Sequence, residues 1–126
     1  MQHKSALVVD DDAEHRELMT RLLQERGYQV KAYANPISYM LRRESHSCPS
    51  SGHCVDLIIT GNKMSGMNGI EFLRRLRKNG CSLPGYRKGV FSHAWDVDHL
   101  EQIKQLGCRF FYKPVAIDQF DQWISK

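Results

Sequence analysis

Short apolar runs alternate along the chain with segments whose apolar residues recur every three or four positions. The runs predict strands at residues 5–9, 28–33, 55–60, 88–92 and 109–112. Each strand is followed by a segment with helical periodicity, so that five strands alternate with five helices. Such alternation favours a parallel sheet, because each crossover between parallel strands needs a helix. The pattern therefore predicts an α/β fold in which a single doubly wound domain spans residues 1–126.

The predicted helices have recognisable ends and apolar faces. Asp12 should cap the first helix and Gly27 should end it. The apolar face of the second helix is predicted to carry Ile37, Met40 and Leu41. The face of the fourth helix carries Val97, Leu100, Ile103 and Leu106. The face of the fifth helix carries Ile117, Phe120, Trp123 and Ile124. The last set predicts a helix of about three turns.

Composition and charge exclude several classes of protein. The chain is 41% hydrophobic and 25% charged, with no apolar run near the ~20 residues that cross a bilayer. No signal peptide is recognisable, so we expect a cytoplasmic protein without a membrane partner. The net charge is +4, and basic residues cluster at 74–78. A solvated helix face explains that cluster better than nucleic-acid binding, because no DNA-binding motif accompanies it.

Polar residues stand where the predicted strands end. Asp10 and Asp11 follow the first strand, Gly61 the third, Ser92 ends the fourth and Lys113 follows the fifth. In an open parallel sheet the functional crevice lies beyond the carboxyl ends of the strands. Any chemistry is therefore expected from these positions.

Taken in order, these features resemble the receiver domain of bacterial two-component response regulators, and the resemblance covers the whole chain. The matching features are the Asp10-Asp11 pair after Val-Val, the strand Asp-Leu-Ile-Ile-Thr at 56–60, the Met-x-Gly-Met-x-Gly turn at 64–69, Ser92, and Lys113-Pro114. The resemblance implies a flavodoxin-like fold with strand order 2-1-3-4-5. It also implies a role in two-component, or phosphorelay, signal transduction.

The resemblance implies phosphoryl transfer from a histidine kinase to an aspartate at the end of the third strand. The acid pair would hold Mg²⁺, a lysine would contact the phosphoryl oxygens, and a Ser or Thr hydroxyl would move to bond them. In this chain the acceptor position is Gly61, which has no side chain. Asp56 begins the same strand, ~16 Å away, and cannot substitute. We therefore expect a non-enzymatic, phosphorylation-independent protein-interaction module.

The missing carboxylate also removes a metal ligand. We expect at most weak Mg²⁺ binding at Asp10 and Asp11, and no other cofactor. Lys63, Lys113 or both could neutralise the acid pair in place of the metal. The alternative is that Lys63 points to solvent.

Two further positions correspond to the switch residues of active relatives. Ser92 is either the mobile hydroxyl or a polar residue that caps the next turn. Phe110, three residues before Lys113, lacks the hydroxyl that would hold an inward or outward position. From the family we expect the interaction face to comprise the fourth helix, fifth strand and fifth helix, with Phe110 and Trp123 as aromatic anchors. The partner would be a histidine kinase, another signalling protein or a second copy of the chain.

A different function class rests on the loop at residues 45–54. His46, Cys48, His53 and Cys54 have the composition of a zinc site, although the spacing matches no known pattern. A metal-responsive or redox-responsive sensor is therefore the alternative to the interaction module. The remaining histidines, among them His15, are expected at the surface or in loops.

Overall fold

Five parallel strands form one sheet in the order β2-β1-β3-β4-β5 in the structure, a computed structural model that describes residues 4–42 and 55–125. The strands are β1 (Lys4–Val9), β2 (Tyr28–Tyr33), β3 (Leu57–Gly61), β4 (Lys88–Ser92) and β5 (Arg109–Tyr112). The helices are α1 (Ala13–Glu25), α2 (Pro36–Arg42), α3 (Gly69–Lys78), α4 (Val97–Leu106) and α5 (Ile117–Ile124). The predicted fold class and strand order are confirmed.

Alternation along the central strands places a separate core on each face of the sheet. In β1, Ala6 and Val8 face one side while Leu7 and Val9 face the other, and all four are buried. The first core packs against α1 and α5, and the second against α2, α3 and α4. Because both faces are covered, the central strands β3 and β4 are buried along their whole length, and β1 is buried from Ala6 onward.

The ends of α1 follow the predicted capping. The Asp12 side chain accepts a hydrogen bond from the His15 amide, and Gly27 has a left-handed φ of +90° just after the helix. Glycine adopts that φ without steric cost, so the chain can turn into β2 there.

Two expectations about the helices are wrong. Helix α5 has 8 residues, which is about two turns rather than three. Three residues assigned to apolar faces are exposed: Ile37 by 45%, Val97 by 81% and Ile117 by 47%. All three lie in the first turn of their helices, near the carboxyl ends of the strands, where the helix does not yet pack against the face of the sheet.

The loop that carries His46, Cys48, His53 and Cys54 lies outside the described residues, so the structure does not test a zinc or redox site there. Cys81 and Cys108 are free thiols. Within the described ranges, no helix is both long and apolar enough to span a membrane.

Candidate functional site

The carboxyl ends of four strands meet around one buried carboxylate. Asp10 follows β1, Gly61 ends β3, Ser92 ends β4 and Lys113 follows β5. Backbone hydrogen bonds hold these ends together; the Lys113 amide, for example, donates to the Ser92 carbonyl at 2.9 Å. Helix α1 contributes His15 from its first turn. Asp10, His15, Gly61 and Lys113 form what we call the acid pocket.

Asp10 is fully buried, and both of its carboxylate oxygens accept hydrogen bonds. Lys113 Nζ lies 3.0 Å from Oδ1 and 3.0 Å from Oδ2. His15 Nδ1 lies 2.9 Å from Oδ2, and the Asp12 amide donates to Oδ1 at 3.1 Å. The Arg16 guanidinium donates to the Asp10 backbone carbonyl at 2.7 Å. Donors from three neighbouring side chains and one amide therefore fix both the carboxylate and the backbone of Asp10.

The pKa of Asp10 reflects two opposing effects. Burial raises the pKa of the Asp10 carboxyl, because it disfavours the charged form. The hydrogen bonds from His15, Lys113 and the Asp12 amide, together with the charge of Lys113, outweigh burial and hold the pKa below its ordinary value. Asp10 is therefore an ionised carboxylate at neutral pH.

The two members of the acid pair occupy different environments. Asp10 is buried, whereas the Asp11 side chain is exposed. Only one carboxylate of the pair is therefore buried, and its counter-charge is Lys113.

His15 is buried, so the expectation that it lies at the surface or in a loop is wrong. It lies four, seven and eight residues before Met19, Leu22 and Leu23, the other buried residues of α1. Its ring also packs against Phe91, with centroids 5.1 Å apart. The spacing of four, seven and eight residues was the signal that could have placed it on the core face.

Gly61 leaves no room for a side chain while Asp10 keeps its position. A Cβ atom added at Gly61 would lie 2.6 Å from Asp10 Oδ1 and 2.9 Å from its Cγ. Real Cβ atoms do not approach other heavy atoms so closely, so the Asp10 carboxylate would have to move. The carboxylate of Asp10 therefore extends into the space beside residue 61.

The loop after β3 passes close to the same strand end. Gly69 begins α3, and its amide donates to the Asn62 carbonyl at 2.8 Å. A Cβ atom on Gly69 would lie 2.2 Å from the Gly61 carbonyl oxygen, so only glycine permits this approach of two backbones. Lys63, in the same loop, is exposed, and no ion pair to Asp10 is seen for it in the described part of the chain.

Ser92 is turned toward the β4–α4 loop. It is buried, and its hydroxyl donates to the Ala94 carbonyl at 2.9 Å. The Ala94 amide lies 3.5 Å from the same hydroxyl oxygen. In this structure Ser92 therefore has the geometry of a residue that closes the turn after its strand.

The β5 edge of the sheet exposes aromatic side chains. Phe110 is 45% exposed, and its ring centroid lies 5.8 Å from that of Trp95 and 6.3 Å from that of Tyr112. A groove of about 760 Å³ runs between α4, β5 and α5 beside these rings. Trp123 contributes to the groove but is only 8% exposed, and its indole N–H donates to the Tyr86 carbonyl at 2.7 Å. Of the two expected anchors, Phe110 is therefore exposed and Trp123 is largely a core residue.

The donors of the acid pocket do not fit the Mg²⁺ that the resemblance implies. Mg²⁺ needs near-octahedral oxygen ligands with free lone pairs. The oxygens of Asp10 already accept from His15, Lys113 and an amide, and Gly61 offers no side-chain oxygen. The described residues also contain no group of three or more His, Cys, Asp or Glu side chains placed to hold a metal ion.

Comparison with known proteins agrees with this architecture. Residues 6–125 match the family model described as the response regulator receiver domain. The chain is 28% identical over 127 residues to sporulation initiation phosphotransferase F of Bacillus subtilis, covering 100% of this chain and 94% of that protein. It is 31% identical over 81 residues to the alkaline phosphatase synthesis transcriptional regulatory protein SphR of Synechococcus elongatus, covering 62% of this chain and 31% of that protein.

Solved structures show the same fold. A two-component response regulator from Clostridium difficile superimposes with a TM-score of 0.80 at 15% identity, covering 97% of this chain and 93% of that one. The matched residues 6–125 include all five helices and nearly all of the five-stranded sheet. This protein therefore belongs to the family of response regulator receiver domains.

Proposed function

We propose that this receiver domain acts in two-component signalling as a protein-interaction module that does not take up a phosphoryl group. The observation that carries the proposal is the end of β3. Residue 61, which the resemblance makes the acceptor, is glycine, and the Asp10 carboxylate extends into the space that its side chain would use. A glycine offers no nucleophile for an acyl phosphate.

Asp56, Asp10 and Asp12 are each held in a position or a contact that keeps them from replacing the acceptor. Asp56 precedes β3 at the amino ends of the strands, away from the acid pocket, and there it accepts a hydrogen bond from the Ser5 amide at 2.8 Å. Asp10 is buried with both oxygens occupied. Asp12 is engaged as the cap of α1. Asp11 is exposed and therefore the carboxylate that a small phosphoryl donor could reach most easily.

Without a phosphoryl group, nothing in the acid pocket favours one of two conformations over the other. A ligand shifts a conformational equilibrium only by its differential affinity for the two states. Lys113 and Ser92 are already bonded to Asp10 and to Ala94, so neither is free to follow a phosphoryl group. The domain therefore presents the same surface to its partner whether or not a phosphoryl donor is present.

The proposed partner surface is the α4–β5–α5 face. Support for this face comes from the exposure of Phe110 and Tyr112, at 45% and 53%, beside a groove of about 760 Å³. Exposed aromatic side chains next to a groove are frequent anchors of protein interfaces. The occupant is a histidine kinase, another signalling protein or a second copy of the chain, and sedimentation at low and high protein concentration separates the last case from the others.

The test of the central proposal is an intact-mass spectrum after incubation with acetyl phosphate and Mg²⁺. A receiver domain known to be phosphorylated, mixed into the same tube, controls for reagent activity. The native chain should gain no phosphoryl mass while the control does. A phosphoryl group on the native chain would refute the proposal, and peptide mapping would show whether Asp11 or another residue accepted it.

A further inference from the structure

His15 is a costly residue for its position in the core. Its Nδ1 bonds Asp10, whereas its Nε2 is buried without a hydrogen-bond partner among the described residues. A buried polar atom without a partner is destabilising, because its lost hydration is not replaced by a hydrogen bond. An apolar side chain would continue the face formed by Met19, Leu22 and Leu23 without that cost. Packing therefore does not explain the histidine, and its bond to Asp10 must.

The position of that bond has a geometric consequence. Asp10 is an acceptor only, so His15 Nδ1 carries the hydrogen and donates it to Oδ2. Lys113 bridges both oxygens, and the Asp12 amide bonds Oδ1. Each oxygen thus has two donors, which fixes the plane of the carboxylate. In this plane Oδ1 lies where it excludes a Cβ atom at residue 61.

Lys113 does not by itself distinguish this pocket from that of a receiver that binds Mg²⁺, because the resemblance implies a lysine at that position in such receivers too. The feature added here is His15, a second donor that reaches the carboxylate from α1. It occupies lone pairs that a metal would need, and its ring is held in place by packing against Phe91.

We propose that His15 is a positioning residue that locks Asp10 against Gly61 and closes the acid pocket to divalent cations. The lock is internal and permanent, so the domain keeps one conformation of its acid pocket whether or not Mg²⁺ is present. This inference deepens the proposed function and rests on it, because it explains how the pocket is maintained without a phosphoryl group.

The lock predicts that restoring the aspartate is not enough to restore a metal site. In Gly61→Asp, the new side chain must displace an Asp10 carboxylate that His15 and Lys113 still hold. In His15→Leu, Asp10 can turn, but residue 61 contributes no oxygen. Only the double variant His15→Leu/Gly61→Asp has both a released Asp10 and a third carboxylate beside Asp11.

The experiment measures Mg²⁺ binding by calorimetry, and the Mg²⁺-dependent rise of the melting temperature, for the native chain, both single variants and the double variant. The matched control is His15→Gln/Gly61→Asp, in which the glutamine amide can still donate to Asp10. Circular dichroism in EDTA shows which variants are folded before metal is added. The double variant with leucine should bind Mg²⁺ at least about tenfold more tightly than Gly61→Asp, a difference of about 1.4 kcal/mol. The glutamine control should bind no better than Gly61→Asp.

Two results would overturn the inference. Equal Mg²⁺ affinity of Gly61→Asp and the leucine double variant would show that His15 does not close the pocket. Tight, saturable binding by the native chain would show that the pocket is open as it stands. Should a double variant fail to fold, the native chain and Gly61→Asp still decide, because submillimolar Mg²⁺ binding by either one contradicts the lock. These outcomes are separate from failure of the proposed function, which would appear as phosphoryl mass on the native chain.

Discussion

The pair formed by Asp10 and Lys113 should be among the most important polar interactions for the stability of this domain. Asp10 is fully buried, and the Lys113 side chain is only 7% exposed. The substitution Lys113→Met keeps most of the side-chain volume but removes the cation that contacts both carboxylate oxygens. Removing one partner of a buried ion pair typically costs about 3–5 kcal/mol, because the other charge is left uncompensated.

The lower end of that range applies here, because His15 and the Asp12 amide would remain bonded to the carboxylate. We expect Lys113→Met to lower the free energy of unfolding by about 3 kcal/mol, which corresponds to a melting temperature lower by about 10 °C for a domain of this size. Urea unfolding at pH 7 in EDTA measures the change directly. The loss should persist in 1 M salt, because a buried pair is poorly screened.

A double-mutant cycle with Asp10→Asn isolates the pair. Asp10→Asn alone should cost less than Lys113→Met, because the long lysine side chain can turn its ammonium group toward water. The double variant should lose less stability than the sum of the single variants, with a coupling energy of about 2 kcal/mol. A coupling energy below about 0.5 kcal/mol would refute the reasoning, because the effects of mutations at two independent sites also add to within about that amount.

Three further expectations follow from the same structure. The pKa of the Asp10 carboxyl is lower in the folded chain than in the unfolded chain. Its contribution to stability is therefore complete above the unfolded pKa of about 3.9 and is lost as the pH falls through the lower folded value. Below about pH 4, the loss of stability with falling pH should be less steep in Asp10→Asn than in the native chain. Gly61→Ala should destabilise the native chain by about 1–3 kcal/mol in urea unfolding, and by clearly less in an Asp10→Ala background, where the 2.6 Å contact no longer exists; equal costs in the two backgrounds would contradict the proposed steric conflict. Trp123→Ala should cost about 3–5 kcal/mol, whereas Phe110→Ala should change stability by less than about 0.5 kcal/mol; a large loss from Phe110→Ala would show that this residue is part of the core.

The pattern of apolar residues predicted the strands, the helices and a parallel sheet, whereas the order of the strands came from the family resemblance. The central strands β3 and β4 are buried along their length, and the helices carry apolar residues at helical spacing, because both faces of the sheet are covered. Periodicity was less informative at the first turns of helices. Val97 and Ile117 fit the pattern, yet each is the first residue of its helix and lies beside the strand ends rather than over the sheet.

The strand-end residues could be predicted because parallel topology brings those ends together. Asp10, Gly61 and Lys113 come from different parts of the chain, and the sheet places them side by side. The sequence did not show which lysine pairs with Asp10, because Lys63 and Lys113 each follow a strand that ends at the acid pocket. That choice depends on side-chain direction, which only the structure provides.

His15 was missed because a histidine in the first turn of a helix reads as a surface residue. Its spacing from Met19, Leu22 and Leu23 indicated burial, but residue type argued for exposure. The conflict between pattern and residue type was itself the signal. Residues that break a local rule tend to mark functional or strained positions, and His15 breaks one to contact Asp10.

The most direct test of the central claim is the response of the native chain to beryllofluoride with Mg²⁺, which mimics a phosphoryl group on an accessible aspartate. Amide NMR spectra recorded during the titration would report on Asp10, Ser92 and Lys113 at once. We predict no saturable shift at these residues, because Gly61 offers no carboxylate and Asp10 is held by His15 and Lys113. Saturable shifts centred on these three residues would contradict the account and show that the domain is a working phosphorylation switch.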